Sequence, residues 1–238
     1  MSTLKILLIQ KVPFALFAKG IDKAYSLGAD MLQIGFLKLL HGAKMREEKE
    51  DYPLLYSKEP PYEVESTPAL SCEDLRLLHR VETAVDRLCN SHRFVSSLSY
   101  LTDTLKIRPF DVFSSVGGCM PAEGLSLNAL YDLFFEVASA QPAVDPLILR
   151  DRLLCDRLTT NADSTLPKCL YKEDKTLSRV KKTLQDEARR SGKSARIGVG
   201  SLYTERQILG VFYDEKDAFG GYAARRYPLA DFIKEKEK

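Results

Sequence analysis

Short continuous apolar runs open the chain, and longer stretches with apolar residues three and four apart follow them. Lys5–Gln10 (KILLIQ) predicts a buried strand. Phe14, Phe17, Ile21, Ala24 and Tyr25 then recur on one helical face, and Gly28 stands where a C-terminal cap belongs. Met31–Leu39 (MLQIGFLKL) is a second apolar run of strand length. Strand, helix, strand in this order predicts a βαβ unit with parallel strands. One such unit cannot bury a sheet by itself, so it reads as a fragment of something larger.

Helical periodicity dominates the middle. Ala43–Asp51 predicts a short charged helix, and Pro53, Pro60, Pro61 and Pro68 make Tyr52–Leu70 an extended surface segment. Ser71 caps the next helix, with Asp74 near its positive end and Leu75, Leu78, Val85 and Leu88 on its apolar face, ending near Asn90. Further helices are expected over Val95–Lys106, from Pro109 to the Gly117-Gly118 pair, over Leu125–Ala140, and from Asp145-Pro146 to Thr159. After a linker, Asn161–Pro167, come a basic helix over about Tyr171–Arg190 and two strands, Arg196–Thr204 and Gln207–Tyr213, read as a hairpin. The expected class is α+β, mainly helical, with a βαβ remnant of a barrel over 1–42, a helical domain over 43–160, and a small helix-plus-hairpin region over 161–238.

Composition narrows the function classes. The 35 basic and 33 acidic residues nearly cancel, which gives no general reason for nucleic acid or an anionic membrane as partner. No apolar run approaches the ~20 residues of a membrane helix, and the N-terminus carries no small-residue cleavage site, so a soluble cytoplasmic chain is expected. Cys72, Cys89, Cys119, Cys155 and Cys169 are odd in number and widely spaced, a pattern of reduced cysteines with no metal or cluster motif.

Most motif-like features fail on context. Ser191-Gly192-Lys193-Ser194 resembles the end of a phosphate loop, but Glu187 stands where its first glycine belongs and a helix precedes it. Gly198 and Gly200 begin a dinucleotide fingerprint whose third glycine is Tyr203. His41, His79 and His92 share no metal-ligand spacing. Arg179, Lys181, Lys182, Arg189, Arg190 and Lys193 form a basic patch, read either as a solvated face or as a contact for phosphate or nucleic acid. If the βαβ unit closes a barrel, Lys38 and His41 lie at the C-terminal end of its last strand, where barrel active sites are built. Gln33 then points the same way or faces the wall, and Pro60–Glu65, with Tyr62 and Glu63, forms a lid or wall over the mouth. Alternatively, Lys38 snorkels to solvent and Tyr62 packs on the helices.

Three separated segments, FAKGIDKAYSLGADMLQIGFLKLLHGAKMREE, PPYEVESTPALSCEDL and the stretch ending LCNSHRF, resemble one group of proteins. They are similar to the cobalamin-binding radical S-adenosylmethionine proteins that carry a C-terminal domain of unknown function. The resemblance covers about residues 14–160 and is loose beyond. It implies that LQ-x-GFLK closes a radical barrel and that PPYEV and the following helices form the appended domain. It also implies a four-iron four-sulfur cluster, S-adenosylmethionine and cobalamin, all on parts outside this sequence, which contains no C-x-x-x-C-x-x-C loop. The expectation is an accessory portion, inactive alone, partnered by the radical and cobalamin-binding portion. A stand-alone module that holds nucleic acid or a phosphorylated ligand through the basic helix 171–196 is the alternative.

Overall fold

A computed structural model of the chain describes residues 2–7, 12–48, 51, 53–162, 165–171, 174–192, 196–216 and 221–233. Strand β1 (Thr3–Leu7) pairs in parallel with β2 (Met31–Gly35), and α1 (Phe14–Ser26) joins them, burying Phe17, Ala18, Ile21 and Ala24. Gly28 follows α1 at φ 66°, the left-handed C-cap that only glycine adopts without strain. The first strand starts two residues before the expected one, and residues 8–10 lie outside those described. The second ends at Gly35 because the chain beyond it changes partner: Val64 N–H donates to Leu37 O and Leu39 N–H to Tyr62 O, both at 2.9 Å.

A short helix α2 (Lys44–Glu47) follows, then strands β3 (Leu55–Tyr56) and β4 (Val64–Ser66), which pair antiparallel inside the proline-rich segment. Helix α3 (Cys72–Ala84) begins in a capping box. Asp74 N–H donates to Ser71 Oγ at 3.1 Å, and Ser71 N–H donates to Asp74 Oδ2 at 2.8 Å. It continues through π-helical turns over Val85–Asn90. Next come α4 (Val95–Ser99) with π-helical turns over Tyr100–Thr104, α5 (Pro109–Cys119), α6 (Leu127–Ser139), α7 (Pro146–Thr160) and α8 (Lys175–Arg190). Strands β5 (Ile197–Leu202), β6 (Gln207–Lys216) and β7 (Tyr222–Pro228) and a short α9 (Ala230–Ile233) complete a mixed α+β, mainly helical chain.

Two compact units partition these elements: Met1–Ser91 with Ile107–Met120, and His92–Lys106 with Pro121–Lys238. The helices of 71–160 are therefore divided, α3 and α5 in the first unit and α4, α6 and α7 in the second. The expected boundaries at 42/43 and 160/161 fall inside the first and second units respectively.

In the first unit, α5 packs on α3 and α1. Phe110 meets Phe14 edge-on at 5.5 Å, and Asp22 accepts from Phe110 N–H at 2.8 Å and Arg108 Nε at 2.9 Å. The Gly117-Gly118 pair does not stop this helix. Gly117 is where α5 touches α3: a Cβ there would stand 2.5 Å from Arg80 O and 2.9 Å from its carbonyl carbon. Gly117→Ala should therefore force the helices apart and lower stability by roughly 2 kcal/mol in urea unfolding. Gly118→Ala, whose Cβ meets nothing within 4 Å, should be neutral or slightly stabilising. Equal behaviour of the two variants would remove close packing as the reason for Gly117.

The second unit is organised by α7, which buries four charged residues, Arg150, Asp151, Asp156 and Arg157. Arg150 donates to Ser201 O at 2.9 Å and lies 4.0 Å over the Tyr203 ring, while Asp151 accepts from Thr204 N–H and Oγ1 at 2.8 Å. These contacts fasten the β5–β6 turn to α7. The expected hairpin gains a third strand, β7, giving the antiparallel order β5-β6-β7. Its middle residues, Ala223 to Arg226, are all exposed, so no apolar alternation marked it in the sequence. Gly200 faces Leu154, where a Cβ would come within 2.7 Å of Cδ2, so packing accounts for it without a nucleotide.

Candidate functional site

The C-terminal end of β2 gathers most of the residues singled out from the sequence. Lys38 and Glu63 are opposed in an isolated antiparallel bridge, so the PPYE segment lies alongside the chain leaving β2. Tyr62 sits at φ 60°, a left-handed conformation costly for a residue with a side chain. His41 meets the Tyr62 ring edge-on at 5.1 Å. Arg46 of α2 lies 4.9 Å from the Tyr62 ring centre and 5.4 Å from that of Tyr56, and donates to Leu39 O at 2.9 Å. One guanidinium thus holds the segment to both neighbours.

Glu63 reaches inward to α3. Its Oε1 lies 2.6 Å from His79 Nε2, and His79 Nδ1 lies 3.6 Å from Glu82 Oε2. The Phe36 ring stacks on the imidazole at 3.6 Å between centres, with 15° between planes. A histidine oriented by a carboxylate on one side and by an aromatic face on the other is a group that can take or give a proton at a fixed position. Glu82 has its pKa raised above the ordinary carboxylate value by burial, and the adjacent His79 pulls it partly back.

Beside this pair lies a cavity of about 260 Å³ lined by Lys5, Gln33, Ile34, Gly35, Glu82 and Asp86. Lys5 and Gln33 stand opposite each other in the β1–β2 ladder, which brings both to one face. Asn90 fixes the far side: it accepts from Leu32 N–H and donates to Leu32 O, each at 2.9 Å, and also donates to Asp86 Oδ1 at 2.6 Å. An asparagine amide thereby occupies the β2 edge at Leu32 as a neighbouring strand would.

Gln33 thus lines the cavity, and Lys38, His41, Tyr62 and Glu63 assemble on the segment next to it. Lys38 is exposed, Tyr62 is half-buried, and neither lines the cavity. His79, Glu82 and Asp86 are not among the site candidates that the sequence predicts. Their signal was the spacing 79, 82, 86, one stripe along α3 and the π-helical turns that continue it. Of the basic patch, Arg179, Lys182, Arg189 and Arg190 are exposed on α8, Lys181 is half-buried, and Lys193 lies outside the described residues.

Among the described residues no three His, Cys, Asp or Glu side chains are placed to share a metal, and burial pushes the Cys89 and Cys155 thiols up to about 11, away from the thiolate. Among the described residues no helix is long and apolar enough to cross a membrane.

No curated protein and no solved structure matches the chain. One family model does, over residues 50–205, from the segment before β3 to the β5–β6 turn. It takes in Tyr62, Glu63, His79, Glu82 and Asp86, and leaves Lys5, Gln33, Lys38 and His41 outside. With well over half of its length matched, the chain belongs to the family described as protein of unknown function DUF4080.

Proposed function

We propose that this chain is the non-catalytic, cytoplasmic C-terminal portion of a cobalamin-dependent radical S-adenosylmethionine protein. In this reading β1 and β2 complete its barrel and the Pro60–Glu65 segment shapes the barrel mouth. The observation that carries the proposal is the asymmetry of the two-stranded sheet. β2 has β1 on one edge and Asn90 on the other, and buries Leu32 and Ile34. β1 pairs with no further strand among the described residues, and its Leu4 and Ile6 are only half-buried. An open parallel edge is a strand-pairing site. At the C-terminal end of that sheet stand Gln33, Lys38 and the Glu63–His79 pair, the location at which barrels present groups to substrate.

Within this assembly the cluster, S-adenosylmethionine and cobalamin belong to the partner portion. The residues here position and cover. Glu63 orients His79, Arg46 holds Tyr62, and Gln33 faces the cavity.

The DNA immediately upstream of the first codon tests the reading. It should encode, in some frame, a C-x-x-x-C-x-x-C loop, and the purified chain supplied with iron, sulfide and S-adenosylmethionine should develop no cluster absorbance. An intact upstream region without that loop, or a cluster formed on this chain alone, would overturn it.

A further inference from the structure

The cavity beside β1 and β2, about 260 Å³, carries charges of both signs in a fixed order. Glu82 and Asp86, four residues apart where α3 passes into its π-helical turns, line it from the helix. Asn90 of the same turns bonds β2 at Leu32 and donates to Asp86 Oδ1 at 2.6 Å, which fixes the carboxylate side against the β2 edge. Gln33 lines the cavity from β2 and Lys5 from β1, one strand further from the helix, and paired strands run about 4.8 Å apart. From the helix outward the order is therefore two carboxylates, an amide and an ammonium.

Burial raises the pKa of the Glu82 carboxyl, His79 pulls it back, and Asp86 and Glu63 raise it again; the charge of Lys5 is not among those acting on it. An ammonium arriving beside Glu82 and Asp86 would offset their mutual repulsion. A simple anion would meet these two carboxylates, and a simple cation would meet Lys5. A molecule that bears both an ammonium and a carboxylate satisfies the two sides at once through charge-assisted bonds. The Gln33 amide, both donor and acceptor, can serve either end.

We propose that this cavity binds a free α-amino acid, with its ammonium on Glu82 and Asp86 and its carboxylate on Lys5 and Gln33. At about 30 Å³ per water the cavity has the volume of roughly nine waters, enough for an amino acid with a modest side chain. Such a guest rests on the reading of this end of β2 as a substrate-facing wall, yet the two fail separately: absence of binding removes the guest, whereas the upstream DNA decides the barrel.

Calorimetric titration of the full chain with L-alanine at neutral pH and fixed ionic strength tests it, with isopropylamine and isobutyrate as arms of the same shape that keep only the ammonium or only the carboxylate. Saturable alanine binding is expected, about tenfold tighter than either. Glu82→Gln and Lys5→Gln should each weaken it about tenfold in variants whose circular dichroism matches the parent. Lys5→Gln should also abolish the preference for alanine over isopropylamine, a change that a merely structural role would not produce. Lys19→Gln, exposed on α1 and outside the lining, should leave alanine binding within about twofold. No saturable heat from the folded parent, either single-charge arm binding as tightly as alanine, or an equal loss from Lys19→Gln would overturn the proposal.

Discussion

Replacing Asp156 with alanine is expected to lower stability by on the order of 3 kcal/mol at pH 5 but by only roughly 1 kcal/mol at pH 8. Asp156 is almost wholly buried on α7, and its carboxylate caps the start of α4. It accepts from Ser96 N–H and Ser97 N–H at 2.8 Å and from Ser97 Oγ at 2.6 Å. Alanine would leave those donors buried without an acceptor. The pH dependence comes from the same burial, which outweighs the three donors and pushes the carboxyl up to about 7 from its ordinary 3.8. Between those values the folded state holds a proton that the unfolded chain has lost. The stabilising contribution is therefore complete below the unfolded value and disappears as pH rises through 7. The alanine variant lacks this titration, so the gap between parent and variant in urea unfolding should narrow from pH 5 to pH 8. A gap constant across that range would mean that the carboxyl is ionised throughout.

The same helix shows why part of this fold could be read from sequence and part could not. The elements announced themselves where local chemistry sets them: the Ser71-Asp74 box, Asp145-Pro146 before α7, and Gly28 after α1. The partition did not, because α5 and α6 have similar periodicity and only long-range contacts send one to the first unit and the other to the second. The glycine pair 117-118 marked the end of α5 to within one residue but not the close approach to Arg80, and periodicity missed β7, which is held by backbone bonds to β6 with its middle residues in water.

At the candidate site the extended segment and the end of β2 were legible as neighbours through the barrel expectation. The His79-Glu82-Asp86 stripe was not, since a charged stripe on a helix ordinarily faces solvent. Here Phe36 and Glu63, both distant in sequence, come to pack on His79. The alternative placed on the basic helix also changes character. Arg179 and Arg190 are exposed, whereas Lys181 and Gln185 line a cavity together with Arg196 and Tyr213.

Arg157→Ala is expected to have an effect as large as the loss of Asp156, about 3–4 kcal/mol, without its pH dependence. Arg157 is 1% exposed, and its guanidinium donates to Asn128 Oδ1 at 3.3 Å, Asn161 O at 3.1 Å and Thr165 O at 2.6 Å. The segment expected to be a linker between domains is thus tied at both ends to α7, inside one unit. Alanine would open a cavity at the fully buried site and remove the donor shared by these three part-buried contacts. Lysine should recover less than half of the loss, because one ammonium cannot span three acceptors arranged around a planar fork. A lysine variant as stable as the parent would show that charge alone, and not the three-way fork, holds this segment in place.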